Sequence, residues 1–238
     1  STTQIQALST DQIQGMLSTY QVKTIFTSAL RSLQTFNLVA LDTNQIIALN
    51  SNQIAAMTTL QVAALSLTQI AAIETRDITG LTSDQIAILN SAQINSFNSL
   101  QVAALTSIQV AAIETVDIGG LTTNTVRAIN VTNLSSDQIA SLTANHIGAL
   151  TTAQVAALSS DQISAIESRD FTSLTTSQIA VLNTAQVAAL TTLQMAAMTV
   201  KQIAAIVTNN IGTLDTALIQ ILNTAQISAL TSKQFSAF

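Results

Sequence analysis

Cysteine, proline and tryptophan are absent from these 238 residues, histidine occurs once, glycine six times, and charged side chains make up only 8%. Each shortage closes a route. Without cysteine there is no disulfide framework, thiolate metal site or thiol nucleophile, and the chain fits an extracellular bacterial surface protein. Too few Lys and Arg are present to form the basic patches that hold phosphates, and the net charge of −5 excludes nucleic acid as an expected partner. The charged fraction is about a third of the ~25% usual in soluble proteins, and the mean hydropathy is +0.46. That combination raises the question of a membrane. A spanning helix needs roughly 20 mainly apolar residues in a row, whereas the apolar runs here stop at lengths such as Ile203-Ala204-Ala205-Ile206-Val207. No membrane insertion is expected. The chain does not open on a basic and then apolar secretion signal, and Ser1 reads as a processed or artificial start.

What fills the sequence instead is one unit of eight residues. Gln45, Gln53, Gln61 and Gln69 are spaced by eight, as are Gln85, Gln93, Gln101 and Gln109, and Gln178, Gln186, Gln194 and Gln202. The unit reads Gln-Ile/Val-Ala-Ala-Leu-Thr/Asn-Thr/Ser-x, as in Gln154-Val155-Ala156-Ala157-Leu158-Ser159-Ser160-Asp161, and recurs from Gln4 to Gln234. Positions 2 and 5 are apolar throughout and position 4 is mostly Ala, Gly or Ser. Two fixed apolar positions beside a small residue describe a buried edge.

A separation of three between core positions fits one face of a helix, whereas a strand would put them on opposite sides. Thr, Ser or Asn at position 6, with Gln three residues later, is the spacing of a capping box; it recurs in Asn90–Gln93, Thr151–Gln154 and Asn223–Gln226. Ala at positions 3 and 4 also favours helix. One continuous helix is excluded, because eight residues at 3.6 per turn rotate the apolar stripe by about 80° per octad. Each octad is therefore expected to be its own helix of under two turns, stabilised only by stacking. The predicted fold class is an all-α solenoid of very short helices, with a β-solenoid as the alternative.

A second period lies above the first. Asp or Asn replaces Gln at Asn37, Asp77, Asp117, Asn130, Asp170 and Asn210, in steps of 40, 40, 13, 40 and 40. The expectation is a coil that closes after about five helices, the length of one long step, stacking like on like. The alternative is a pairwise stack of repeats of that same length. The short step is an insertion at 117–129, read as repeat-duplication debris or a functional graft, where a bulge is expected. Residues 1–36 form an irregular first coil, a cap or assembly end, and 37–238 the octad solenoid. The first coil carries Tyr20, Phe26 and Phe36, and the last octad carries Phe235 and Phe238 at its core positions. Polar capping repeats are the usual cover for a solenoid's ends. Aromatics there mark those five residues as a candidate interface for head-to-tail self-association, the alternative being that the chain is an excerpt of a longer array.

No catalytic constellation appears, and the chain is expected not to be an enzyme and to carry no cofactor. His146 stands where Gln belongs in its octad, a cap substitute. Gly119-Gly120 is isolated and makes no phosphate loop. The pairs Glu74 and Asp77, Glu114 and Asp117, and Glu167 and Asp170 recur at octad junctions with Arg76 and Arg169 nearby. They read as a solvated, ion-paired corner, with a column of carboxylates binding Ca²⁺ weakly as the sharper alternative. The rank of Thr and Ser beside Ala also fits an ice-binding face, although helix capping already accounts for those hydroxyls.

The octad, for example Leu150-Thr151-Thr152-Ala153-Gln154-Val155-Ala156-Ala157-Leu158, resembles repeats of very large secreted or surface, adhesin-like proteins of Gram-negative bacteria. The resemblance covers almost the whole chain and implies an extracellular stalk, filament or coat. The expected function is a structural subunit that partners itself, head to tail, in a filament or surface layer. The alternatives are an adhesin segment presenting a ligand-binding face and an ice-binding protein.

Overall fold

The computed structural model describes residues 2–238 and is all-helical: 28 α-helices of four to seven residues and two single 3₁₀ turns, with no strand among the described residues. Each helix starts where the octad places its cap. Before Ser83–Ala87, the Thr82 hydroxyl accepts from the Gln85 N–H at 3.2 Å, and the Gln85 side-chain oxygen accepts from the Thr82 N–H at 2.8 Å. The same reciprocal pair opens Ser51–Ala56 from Asn50 and Ser160–Ala165 from Ser159.

The helices end without a left-handed glycine, and where Gly120 and Gly212 close a helix they do so at negative φ. No described residue has a positive φ, so no left-handed cap is used. Instead, positions 5 and 6 are both extended: Leu158 at φ −61°, ψ 142° is followed by Ser159 at φ −71°, ψ 164°. A corner made of two ordinary residues needs neither Gly nor Pro, which explains why the sequence has so little of either.

Positions 2 and 5 form the core, as in Ile54 with Met57 and Val155 with Leu158, all buried. Burying such a side chain is worth about 1.5–3 kcal/mol. Isolated helices of this length are unstable in water, so the stack stabilises the helix.

The coil is smaller than the sequence predicts. Interior glutamines donate to backbone carbonyls 28 residues earlier, as Gln85 to Met57 and Gln186 to Leu158, each at 2.7 Å. Helices pack on the third element along, for example Thr27–Ser32 on Ser51–Ala56. That step, divided by the length of the unit, is three and a half octads, so the expected coil of five helices is incorrect. Two extended residues at each corner turn the chain sharply enough to close between the third and fourth helix. The half-octad remainder sets each helix over a corner of the coil beneath, so like does not stack on like.

The chain divides into two such solenoid units, one ending at Ile129 and the other running Asn130–Phe238. The division falls at the short step in the sequence. There the helix Thr123–Ala128 is followed by a single 3₁₀ turn, Val131–Asn133. No helix is long and apolar enough to cross a membrane among the described residues.

Candidate functional site

The residue that joins one coil to the next is the position-1 glutamine. In Gln61 the amide oxygen accepts from the Thr58 N–H at 2.7 Å, while Nε2 donates to the Leu33 carbonyl at 2.7 Å and the Leu30 carbonyl at 3.2 Å. The side chain is buried and fully satisfied. The same bridge is made by Gln53 and Gln109 in the first unit and by Gln162, Gln194 and Gln234 in the second. Pattern reading found the capping half of this role and missed the bridge. The signal was available: a capping box uses only the amide oxygen, leaving an NH₂ with two donors. A buried amide must place them. His146 takes the glutamine's place with Nδ1 accepting from the Thr143 N–H at 3.2 Å.

The Asp and Asn octads use a shorter reach. Asp77 accepts from the N–H and hydroxyl of Ser51 at 2.8 and 2.7 Å, and Asp117 accepts from the Ser91 N–H at 2.8 Å. Asn210 donates to the Leu182 carbonyl at 2.7 Å and accepts from the Thr184 hydroxyl at 2.8 Å. The helix or turn here is short and its preceding residue makes no side-chain cap, as at Glu114, Glu167 and Val207. The backbones come close: a Cβ on Gly80 would collide with the Ser51 backbone, and one on Gly120 would lie 2.7 Å from the Ser91 hydroxyl. The five-octad period therefore marks where this closer crossing occurs, and the coil closes on its own shorter count.

That offset separates the junction carboxylates. Asp77 lies on Ser51 and Asp117 on Ser91, so the expected column of stacked carboxylates does not form. Glu74 and Asp77 share Arg76, and Glu167 and Asp170 share Arg169, with Arg169 at 2.7 Å from Glu167 and 3.4 Å from Asp170. Both arginines are largely exposed, so these pairs add little stability. Glu114 and Asp117 have Val116 where the other two corners have arginine. No group of three or more His, Asp or Glu among the described residues is placed to hold a metal ion. The hydroxyls of the Ser/Thr rank serve as caps, accepting from the third helical N–H.

The five aromatics lie on the surface. Tyr20 belongs to Thr19–Thr24, Phe26 precedes Thr27–Ser32, and Phe36 sits in Thr35–Leu38. Phe235 and Phe238 form an edge-to-face pair, 6.1 Å between ring centres and 82° between planes. Phe26 borders a concavity of about 290 Å³ in the first coil, with Leu17, Ile25, Ala29 and Gln21; Tyr20 and Phe36 do not line it.

Against known families, a model described as the ALTTAQ repeat matches residues 30–67, 70–107, 110–152, 131–166 and 163–200. The hexapeptide Ala149-Leu150-Thr151-Thr152-Ala153-Gln154 spells that description, running from position 4 of one octad to position 1 of the next. No curated protein matches the chain.

Proposed function

We propose that this chain, which belongs to the ALTTAQ repeat family, is a non-enzymatic structural subunit that assembles head to tail into an extracellular filament or surface layer. The observation that carries the reading is the exposure of aromatic side chains: Tyr20, Phe26, Phe36, Phe235 and Phe238 stand in solvent, whereas Phe97 and Phe171 are sealed in the core. Exposed apolar surface of this kind marks a contact. Between unlike edges the contact is heterologous and propagates unless it closes as a ring. The extracellular setting is supported by the resemblance of the octad to repeats of secreted and surface proteins and by the cysteine-free composition.

The test is electron microscopy and sedimentation of the 238-residue chain beside Phe235→Glu with Phe238→Glu. Fibres from the unmodified chain and none from the variant are expected. A native protein that stays monomeric at high concentration, or a variant that still forms fibres, ends the proposal. A second reading, an adhesin segment with a ligand-binding face, is favoured by Leu60, Leu100 and Ile108, exposed on the flank of the first unit. It predicts monomers that bind a target surface, and imaging separates the two.

A further inference from the structure

Of all the asparagines in the chain, only Asn130 and Asn133 have Ser or Thr two residues on, in Asn130-Val131-Thr132 and Asn133-Leu134-Ser135. Elsewhere the hydroxyl falls one residue after Asn, as in Asn90-Ser91, or an apolar residue stands second, as Ile46 does after Asn44. Asn-x-Ser/Thr is the acceptor pattern of N-linked glycosylation. The geometry separates the two copies. Asn130 belongs to the series of Asp and Asn at position 1, whose members Asn37, Asp77, Asp170 and Asn210 are buried. Asn130 is exposed. Thr79 and Thr172, two residues after Asp77 and Asp170, donate their hydroxyls to the Arg76 and Arg169 carbonyls at 3.4 and 2.7 Å. Thr132 turns to Asn130 instead: Asn130 Oδ1 accepts from the Thr132 hydroxyl at 2.9 Å and from the Thr132 N–H at 3.3 Å. Asn130 Nδ2 is the free end of the amide, with no partner among the described residues. At the other copy Asn133 is half-buried, and the Ser135 hydroxyl caps Ser136–Ala140 by accepting from the Gln138 N–H at 3.1 Å.

We propose that Asn130 is a glycosylation site, the acceptor for a sugar joined through its anomeric carbon to a phosphate leaving group, and that Asn133 is not. A carboxamide nitrogen is a weak nucleophile because its lone pair is delocalised into the carbonyl, the same resonance that flattens a peptide bond. The two bonds to Asn130 Oδ1 polarise the amide and make the Nδ2 proton easier to remove. They also hold the side chain in place, with amide and Thr132 hydroxyl side by side for a transferase to recognise together. The backbone there is a single 3₁₀ turn, Val131–Asn133, rather than one of the capped helices of the regular octads. Surface segments of this kind are where an enzyme can reach a protein acceptor. In the transfer, the bond from Asn130 Nδ2 to the anomeric carbon forms as the bond from that carbon to the phosphate oxygen breaks. The phosphate leaves with the bonding pair, and one Nδ2 proton passes to a base of the transferase. No oxidant or reductant is needed. The donor is carried on a nucleotide or on a lipid, since both present the same phosphate-linked sugar. The inference is independent of the filament reading, because a monomer and a fibre carry the same turn.

The test is peptide mapping by mass spectrometry of the protein purified from the cells that make it. Sugar on Asn130 and none on Asn133 is the expected result. A single hexose identifies a nucleotide-carried donor, and an oligosaccharide added whole identifies a lipid-carried one. Expressed in the same cells, Asn130→Gln and Thr132→Val should lose the sugar, while Thr132→Ser, which keeps the hydroxyl, should retain it. Asn130 and Thr132 are both exposed, so circular dichroism of all three variants should match the parent. Bare Asn130 in the native protein overturns the proposal. Sugar on Asn133 in place of Asn130, or sugar kept by Thr132→Val, overturns it too, because the turn would then not select the acceptor.

Discussion

Gln85 and Gln21 are the same residue in the same local structure, each closing a capping box on the residue three before it. One is buried with its amide shared between the Ile54 and Met57 carbonyls, and the other stands in solvent with its amide unused. The octad therefore makes its helix wherever it occurs, but burial and cohesion belong to the coil beneath. Local structure in this protein is written once per octad, and stability is written across the longer step from Gln85 back to Met57.

Three substitution pairs would break or sharpen that contrast. The largest effect is expected at position 5. Leu158→Asp places an unpaired charge in a sealed core and should cost about 4 kcal/mol. Leu230→Asp, at the half-buried edge, should cost about 1 kcal/mol. Equal shifts in the urea midpoint of the two variants would mean that the coil beneath does not set the energetics.

At position 1 the contrast narrows. Gln85→Glu strands two carbonyls and buries a carboxylate, for an expected loss of about 3 kcal/mol. Gln21→Glu keeps its cap in water and should fall within about 0.5 kcal/mol of the parent. Denaturant unfolding of the monomeric protein, below any assembly concentration, compares the two. A silent Gln85→Glu would remove the bridging amide from the account.

The smallest pair concerns glycine. Gly80→Ala drives a methyl into the Ser51 backbone and should destabilise by about 2 kcal/mol. Gly15→Ala meets open space inside the helix Thr10–Met16 and should stabilise by about 0.5–1 kcal/mol. Thermal melting with opposite signs supports the close crossing at the Asp77 octad; a shared sign does not.

The helices, their caps and the two core positions were all legible in the sequence, because each is decided within a single octad. Thr151 and Gln154 announce their capping box from spacing alone, and Val155 and Leu158 announce their burial. The coil was misread because its closure is set by backbone torsions at pairs such as Leu158 and Ser159, which no side-chain pattern states. The five-octad steps from Asn37 to Asp77 to Asp117 were real but recorded a change of crossing side chain. The bridging role of glutamine was hidden behind a role it also performs. Of the candidate interface, Phe235 and Phe238 were visible as sequence, whereas their edge-to-face pairing belongs to the folded chain.

The amides that tie the coils recognise main-chain carbonyls, and every residue carries one of those whatever its side chain. Glutamine at Gln194 therefore asks nothing of the identity of Ile163 or Ile166 beyond a backbone at the right height. Removing the octad from Gln93 to Leu100 would hand each later glutamine a chemically identical neighbour. The parts are interchangeable in the sense of standard threads. An array built with them can gain or lose whole modules by recombination, its length drifting through evolution, with no matching change required elsewhere in the chain.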